Sequence, residues 1–128
     1  MKSFRKLLQA ALLLLPLLMV GGASAATDRA VVKREVDHLL DTLVVSKCQF
    51  NRNGDWYDGA DAKSHLTKKY DYFLIRGEIS SAESFIELAA SKSSMSGRAY
   101  LVKCGDGKPM ESGPWLKQEL ARYRMRLK

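Results

Sequence analysis

The sequence is poor in the residues that build metal and redox centres, with two cysteines and two histidines among its 128 residues. Cys48 and Cys104 lie far apart in the chain, whereas redox and metal sites use closely spaced cysteines or added histidine ligands. We therefore predict no metal and no cofactor. The sequence also lacks a G-x-S-x-G motif and a distinctive pair of acidic residues, so neither that class of hydrolase nor a glycosidase is indicated.

Long apolar runs are absent except for Leu7 to Val20, at the start of the chain. Basic residues precede this run, and Ala23-Ser24-Ala25 gives the small-residue pattern that signal peptidase cleaves. The run is shorter than the roughly 20 residues that a spanning helix needs. We predict a cleavable signal peptide over residues 1–25, a single globular domain over 26–128 without a transmembrane segment, and a periplasmic or secreted location.

The basic residues are concentrated at one end of the predicted mature chain. Residues 26–88 have nine basic and eleven acidic side chains, and residues 89–128 have nine basic and three acidic ones. A basic region of this kind either keeps the domain soluble or binds anions. Because exported proteins rarely meet nucleic acid, we expect the partner to be an unknown envelope protein or an anionic envelope component, and no nucleic acid.

The two cysteines predict one disulfide bond. Export places Cys48 and Cys104 in an oxidising compartment, where an isolated pair forms a structural bridge. Closing the long loop between them contributes about 4 kcal/mol by the chain-entropy relation.

Asn53-Gly54 predicts a tight β-hairpin, because a type I′ turn needs positive φ at both central residues. Counting outward from the turn pairs Arg52 with Asp55, Asn51 with Trp56 and Phe50 with Tyr57. A third strand, at 99–104, is expected to lie antiparallel to the first, since the cysteines then stand at facing strand ends. The predicted sheet has three strands, at 48–52, 55–58 and 99–104.

Four helices are predicted around this sheet. Apolar spacing indicates the first over Asp28–Ser46, and Asp58 caps a second that stops at Gly77. Ser80-Ser81-Ala82-Glu83 is typical of a capping box and begins the third, and Ser112-Gly113-Pro114 begins the last. The fold class is therefore α+β, with about four helices packed on a small three-stranded antiparallel sheet.

The segments FNRNGDWYDGADAKSHL and SSAESFIELAASKSSMSGRAYLVKC resemble the YfeK-like family of small exported bacterial proteins. The shared features begin with Phe50, Arg52, Asn53 and Gly54 and extend through Ala62, His65 and Leu66 to Ser94, Ser96, Gly97 and Tyr100. The resemblance implies a periplasmic protein with no assigned activity. It supports the location and the domain limits without supplying a chemistry.

Residue types that are enriched at binding hot spots lie in or beside the turns, namely Arg52, Trp56, Tyr57 and Arg98. We therefore favour a non-enzymatic interaction module of the cell envelope that binds its partner between the hairpin tip and the serine loop, residues 91–97. The alternative is that the aromatic residues only cover a small core.

Two further functions fit parts of the sequence. A hydrolase would use His65 as general base for Ser94 or Ser96, although serines that follow a helix usually satisfy backbone groups. An inhibitor of a lysozyme-like enzyme is prompted by residues 96–100, which resemble the Ser-Gly-x-x-Tyr loop of some periplasmic lysozyme inhibitors. Those inhibitors are mostly β-barrels, which argues against homology.

Antiparallel pairing of the first and third strands brings the serine loop next to the hairpin turn. We expect one surface to collect six residues, namely Arg52, Asn53, His65, Ser94, Ser96 and Arg98. These residues form either a binding site or a structural network that ties the serine loop to the hairpin.

Overall fold

The computed structural model describes residues 22–128, with side chains from residue 28 onward. In chain order its elements are α1 (Gly22–Val45), β1 (Gln49–Arg52), β2 (Asp55–Tyr57), α2 (Gly59–Ile75), α3 (Ala82–Ala89), β3 (Leu101–Lys103), β4 (Met110–Glu111) and α4 (Ser112–Arg126). The predicted α+β class is confirmed. The predicted signal peptide, residues 1–25, lies outside the described residues except for its last four positions, which begin α1.

The four strands of the described chain form one antiparallel sheet in the order β2-β1-β3-β4. The prediction of three strands was wrong because β4 was missed. With two residues, β4 is too short to show an alternating pattern, and it is recognised as a strand by its pairing with β3, Met110 with Val102 and Glu111 with Leu101.

The hairpin register is confirmed at all three pairs, Arg52 with Asp55, Asn51 with Trp56 and Phe50 with Tyr57. Asn53 has a φ of 53° and Gly54 a φ of 92°, as a type I′ turn requires. The Asn51 side chain accepts a hydrogen bond of 3.1 Å from the Gly54 N–H. The turn preferences of Asn53 and Gly54 therefore fix the position of Arg52 at the end of β1.

The disulfide between Cys48 and Cys104 is confirmed, with the two Cα atoms 4.4 Å apart across a sequence separation of 56. Cys48 precedes β1 and Cys104 follows β3, and these strands pair antiparallel, Gln49 with Lys103. The bridge therefore closes the end of the sheet opposite the hairpin turn.

Helix α2 begins as the sequence predicts. The Asp58 side chain accepts a hydrogen bond of 2.8 Å from the Asp61 N–H, and the carboxylate of Asp61 lies in the first turn. Gly59 lies so close to α1 that an added Cβ would be 2.0 Å from the Leu43 carbonyl oxygen. This close approach fixes the start of α2 against α1.

The other helix starts differ from the prediction. Helix α1 begins before Asp28, through an alanine-rich stretch with high helix propensity. The capping box of α3 is formed by Ser81 and Ser84, not by Ser80 and Glu83.

Helix α4 has Glu111 at its N-cap position without a side-chain cap, so Ser112 is its first residue and not its cap. The prediction used the capping preference of serine, but here Ser112 is buried and its backbone N–H bonds to the Tyr100 carbonyl. That bond is made after the chain folds and cannot be read from local sequence.

The helices bury one core against the sheet. Its largest fully buried side chains come from α1, α3, α4 and β3, namely Val36, Leu39, Leu43, Phe85, Ile86, Val102 and Leu116, and α2 adds Leu66 and Tyr70, which are close to fully buried. Within residues 22–128, none of the helices is both long and apolar enough to cross a membrane.

Candidate functional site

The described part of the chain contains a cleft of about 430 Å³. It lies between the hairpin, α2, α4 and the residue that leads into β3, Tyr100. Its volume is at the lower end of the roughly 300–1,000 Å³ found for small-molecule sites. The residues that line the cleft include Leu43, Phe50, Arg52, Tyr57, Asp61, Ala62, His65, Leu66, Lys68, Ala90, Tyr100 and Leu116.

The inner wall of the cleft is apolar. It consists of core side chains that the helices and β1 contribute, namely Leu43, Phe50, Leu66, Ala90 and Leu116. A ligand that enters the cleft therefore meets apolar side chains, and the apolar part of the ligand is removed from water where it lies against them.

Arg52 and His65 form the polar part of the cleft together with Tyr57. Nη1 of Arg52 is 2.9 Å from Nδ1 and 3.3 Å from Nε2 of His65, and Nη2 donates to the Tyr57 hydroxyl at 3.4 Å. The guanidinium also lies over the Tyr57 ring, 5.0 Å from its centroid. Because a guanidinium only donates hydrogen bonds, its approach to the ring nitrogens favours the neutral imidazole over the charged one.

Tyr100 connects this group to Lys69. Nε2 of His65 lies 3.2 Å from the Tyr100 hydroxyl, and Lys69 Nζ donates to the same oxygen at 3.1 Å. Lys69 also donates to the Lys92 carbonyl at 3.0 Å. The Tyr100 hydroxyl therefore joins the imidazole of His65 to the ammonium of Lys69.

The electrostatic environment favours the uncharged forms of these groups. Burial, followed by the charge of Arg52, lowers the pKa of His65 below its usual 6.5. The same two causes, in the same order, lower the pKa of Lys69 to about 8. Burial raises the pKa of Tyr100, which keeps its hydroxyl protonated at neutral pH.

The cleft has an excess of positive charge. Within the described chain, neither Arg52 nor Lys69 forms a salt bridge with a carboxylate. Among the residues that line the cleft, Asp61 is the one acidic side chain, and it is exposed. The arrangement is therefore chemically suited to an anion.

The sequence-predicted residues separate into two neighbouring clusters. Arg52 and His65 belong to the cleft. Asn53 instead contacts the serine loop, where its Oδ1 accepts from the Ser96 hydroxyl at 2.6 Å and its Nδ2 donates to the Ser93 hydroxyl at 3.3 Å. The Ser96 oxygen also accepts from the Arg98 N–H at 3.2 Å. These contacts tie the serine loop to the hairpin turn.

The remaining predicted residues do not line the cleft. Arg98 places its guanidinium beside Gly54, Ser94 is exposed in the turn of the serine loop, and Trp56 is 42% exposed on β2. Tyr100, which the lysozyme-inhibitor hypothesis needs at the surface with Ser96, is only 6% exposed.

Tyr100, which lines the cleft, and Lys69, which lies beside it, were not among the site residues predicted from the sequence. Lys69 is one helical turn from His65, so the i, i+4 spacing on α2 was the available signal. In the described chain no hydrogen bond joins His65 to Ser94 or Ser96, because its ring nitrogens are engaged by Arg52 and Tyr100.

The comparisons with known proteins identify a family whose function is unknown. The model of DUF5329, described as a family of unknown function, matches residues 30–124, which include every residue of the cleft. Comparison with curated proteins and with solved structures gave no match. The chain belongs to DUF5329, a family of unknown function.

Proposed function

We propose that the protein is a non-enzymatic binding module, exported to the bacterial cell envelope, that holds an anionic envelope component in the cleft. The observation that carries this proposal is that Arg52 lines the cleft, and Lys69 donates to the hydroxyl of the lining residue Tyr100, without a salt bridge to a carboxylate for either cation in the described chain. A bound anion would complete their electrostatic environment.

The energetics of burial support this function. Placing cations partly out of water costs free energy unless an opposite charge compensates for it. On α4, Arg124 is compensated in this way by Glu35 and Glu83. Within the described chain, the hydrogen-bond partners of Arg52 and Lys69 are neutral, namely the His65 ring, the hydroxyls of Tyr57 and Tyr100 and the Lys92 carbonyl. Cations without a carboxylate partner at a cleft favour an anionic ligand.

The same contacts favour binding over hydrolysis. A hydrolase needs a base within hydrogen-bond reach of its nucleophile. His65 is instead held between Arg52 and Tyr100, and Ser96 is held by Asn53. The cleft therefore has groups that hold an anion, and its histidine is occupied in positioning Arg52.

Export is part of the proposal and rests on the sequence. The basic start, the apolar run over residues 7–20 and the Ala23-Ser24-Ala25 site support it, as does the resemblance to the YfeK-like family. Fractionation of cells that express the full chain tests it. We expect a shortened protein in the periplasm, and Ala23→Asp with Ala25→Asp should leave the longer form. Unprocessed wild-type protein in the cytoplasm would refute export.

The binding role is tested by thermal unfolding at constant ionic strength in the presence of paired compounds. Each pair is a carboxylate or phosphate monoester and its neutral amide or alcohol counterpart, with small, alkyl and aromatic substituents. A ligand that binds the folded state raises the melting temperature. We expect one or more of the anions to raise it for the wild type, their neutral counterparts to have less effect, and Arg52→Gln to remove the difference.

The matched control is Lys108→Gln, which removes the same unit of charge from an exposed loop. It should respond to the anions as the wild type does. An anion effect that persists in Arg52→Gln, or that disappears equally in Lys108→Gln, would refute binding in the cleft.

A further inference from the structure

We infer that the ligand of this cleft is an amphipathic carboxylate, with one anionic head and a short apolar tail. The inference rests on the proposed function and narrows it to one class of compound. It follows from the separation of polar donors and apolar wall within the same small cleft.

The head group is defined by the donors that remain free. Arg52 uses both of its terminal nitrogens on His65 and Tyr57 but has further N–H groups, and Lys69 has one N–H beyond its bonds to Tyr100 and Lys92. A carboxylate accepts up to about four hydrogen bonds through two oxygens, so it matches this set.

The charges around the cleft favour an anionic head group. Arg52 and Lys68 line the cleft and Lys69 lies beside it, while Asp61 contributes one negative charge. The wall beyond Arg52 is apolar. A second anionic group along the tail would lie against that wall, which is unfavourable.

The tail is defined by the apolar wall. Phe50, Leu66 and Leu116 line the cleft together with Leu43 and Ala90, so a chain or ring that extends from the carboxylate is buried against them. Each methylene group that is buried in this way should increase the affinity about fourfold. The volume of about 430 Å³ limits the tail to a small group.

Isothermal titration of the purified protein tests the inference. The probes are acetate, butanoate, hexanoate and octanoate, with octanamide and octyl phosphate as comparisons at constant ionic strength. We expect affinity to rise about fourfold for each methylene until the cleft is full. Octanamide should bind at least about tenfold more weakly than octanoate, because charge-assisted hydrogen bonds are lost.

A variant that fills the cleft with a larger side chain gives a second, independent test. Ala62 is half-buried on α2 and lines the cleft, so Ala62→Leu should weaken octanoate binding more than tenfold and acetate binding little. The melting temperature of Ala62→Leu shows whether this variant folds. If it does not fold, the wild-type titrations with acids of increasing chain length decide whether the cleft binds the tail. Lys108→Gln should bind octanoate as the wild type does.

The outcomes separate this inference from the proposed function. If anions bind in an Arg52-dependent manner with no gain from longer tails, the tail assignment is overturned and the binding function stands. Tighter binding of octyl phosphate than of octanoate would overturn the carboxylate assignment alone. If octanamide binds as tightly as octanoate, or none of the anions binds, the proposed function fails as well.

Discussion

Nη1 of Arg52 lies 2.9 Å from Nδ1 of His65, a residue 13 positions further along the chain. This contact joins the end of β1 to the second turn of α2. It also disfavours the protonated histidine, which has no lone pair to accept a hydrogen bond and would place a second positive charge beside the guanidinium. The stability of the fold and the geometry of the cleft are therefore linked to the neutral form of His65.

The first prediction concerns pH. Burial and the charge of Arg52 lower the pKa of His65 in the folded state below the 6.5 of an ordinary histidine. In the window between this lowered pKa and pH 6.5, the unfolded state therefore binds more protons than the folded state. The contribution of His65 to the free energy of unfolding is present above pH 6.5 and is lost as the pH falls through the window. Urea unfolding at a series of pH values from 7.5 to 5 measures it.

The control is His65→Gln, whose side-chain oxygen can still accept from Arg52 but does not titrate. Its unfolding free energy should fall less than that of the wild type over the same pH range. Equal losses in the two proteins would show that the histidine is not held neutral by this contact.

The second prediction concerns the hairpin turn. Gly54 has a φ of 92°, which a β-branched residue adopts only with strain. Gly54→Val should lower the free energy of unfolding by about 1–3 kcal/mol. Gly54→Asn, which tolerates positive φ better, should lose less. If denaturant unfolding gives the same stability for all three proteins, the type I′ turn does not fix the hairpin.

The third prediction concerns an ion pair that was not expected from the sequence. Glu35 on α1 is 6% exposed, and Arg124 on α4 donates to it from Nε at 2.5 Å and from Nη2 at 3.0 Å. Arg124→Met leaves a buried carboxylate without its partner. We expect a loss of about 1–3 kcal/mol in the free energy of unfolding.

The double variant with Glu35→Leu should recover most of this loss, because the unpaired charge is then removed. Lys117→Met is the matched control on the same helix, since Lys117 pairs with the exposed Glu87 at 3.8 Å and should contribute at most about 0.5 kcal/mol. A loss in Arg124→Met no larger than in Lys117→Met would contradict the assigned role of the buried pair.

The sequence predicts the parts of the fold that depend on nearby residues. The Asn53-Gly54 turn gave the register of β1 with β2, Asp58 gave the start of α2, and the cysteine pair supported the pairing of β1 with β3. In each case a local preference or a covalent bond determines the structure.

The features that sequence analysis missed depend on contacts made after folding. The pairing of β4 with β3 has no local pattern, and Glu83, which was expected to complete a capping box, lies against Arg124 instead. For the same reason, only part of the candidate site could be predicted from the sequence. Arg52 and His65 could be proposed together, but Lys69 meets Tyr100 across 31 positions through tertiary packing alone.

The fourth prediction concerns the pH dependence of binding. The pKa of Lys69 is about 8, so Lys69 loses its charge between pH 7 and 9, while Tyr100, with a raised pKa, stays protonated and His65 stays neutral. Arg52, Lys68 and Asp61 are the other charged groups of the cleft. The affinity for octanoate should therefore fall as the pH rises through 8.

The control is Lys69→Arg, which keeps its charge throughout this range. Titration calorimetry at pH 7, 8 and 9 should give a falling affinity for the wild type and a nearly constant one for the variant. A constant wild-type affinity, or an equal fall in both proteins, would show that Lys69 does not contact the bound anion.

The most direct test of the central claim is a two-dimensional amide NMR titration of the protein with octanoate. The account predicts that the largest shifts occur at Arg52, His65, Lys69, Tyr100 and Leu116, with small ones at the exposed Trp56 and Ser94. Shifts concentrated at the hairpin tip and serine loop, or none up to millimolar octanoate, would contradict an anion site in the cleft.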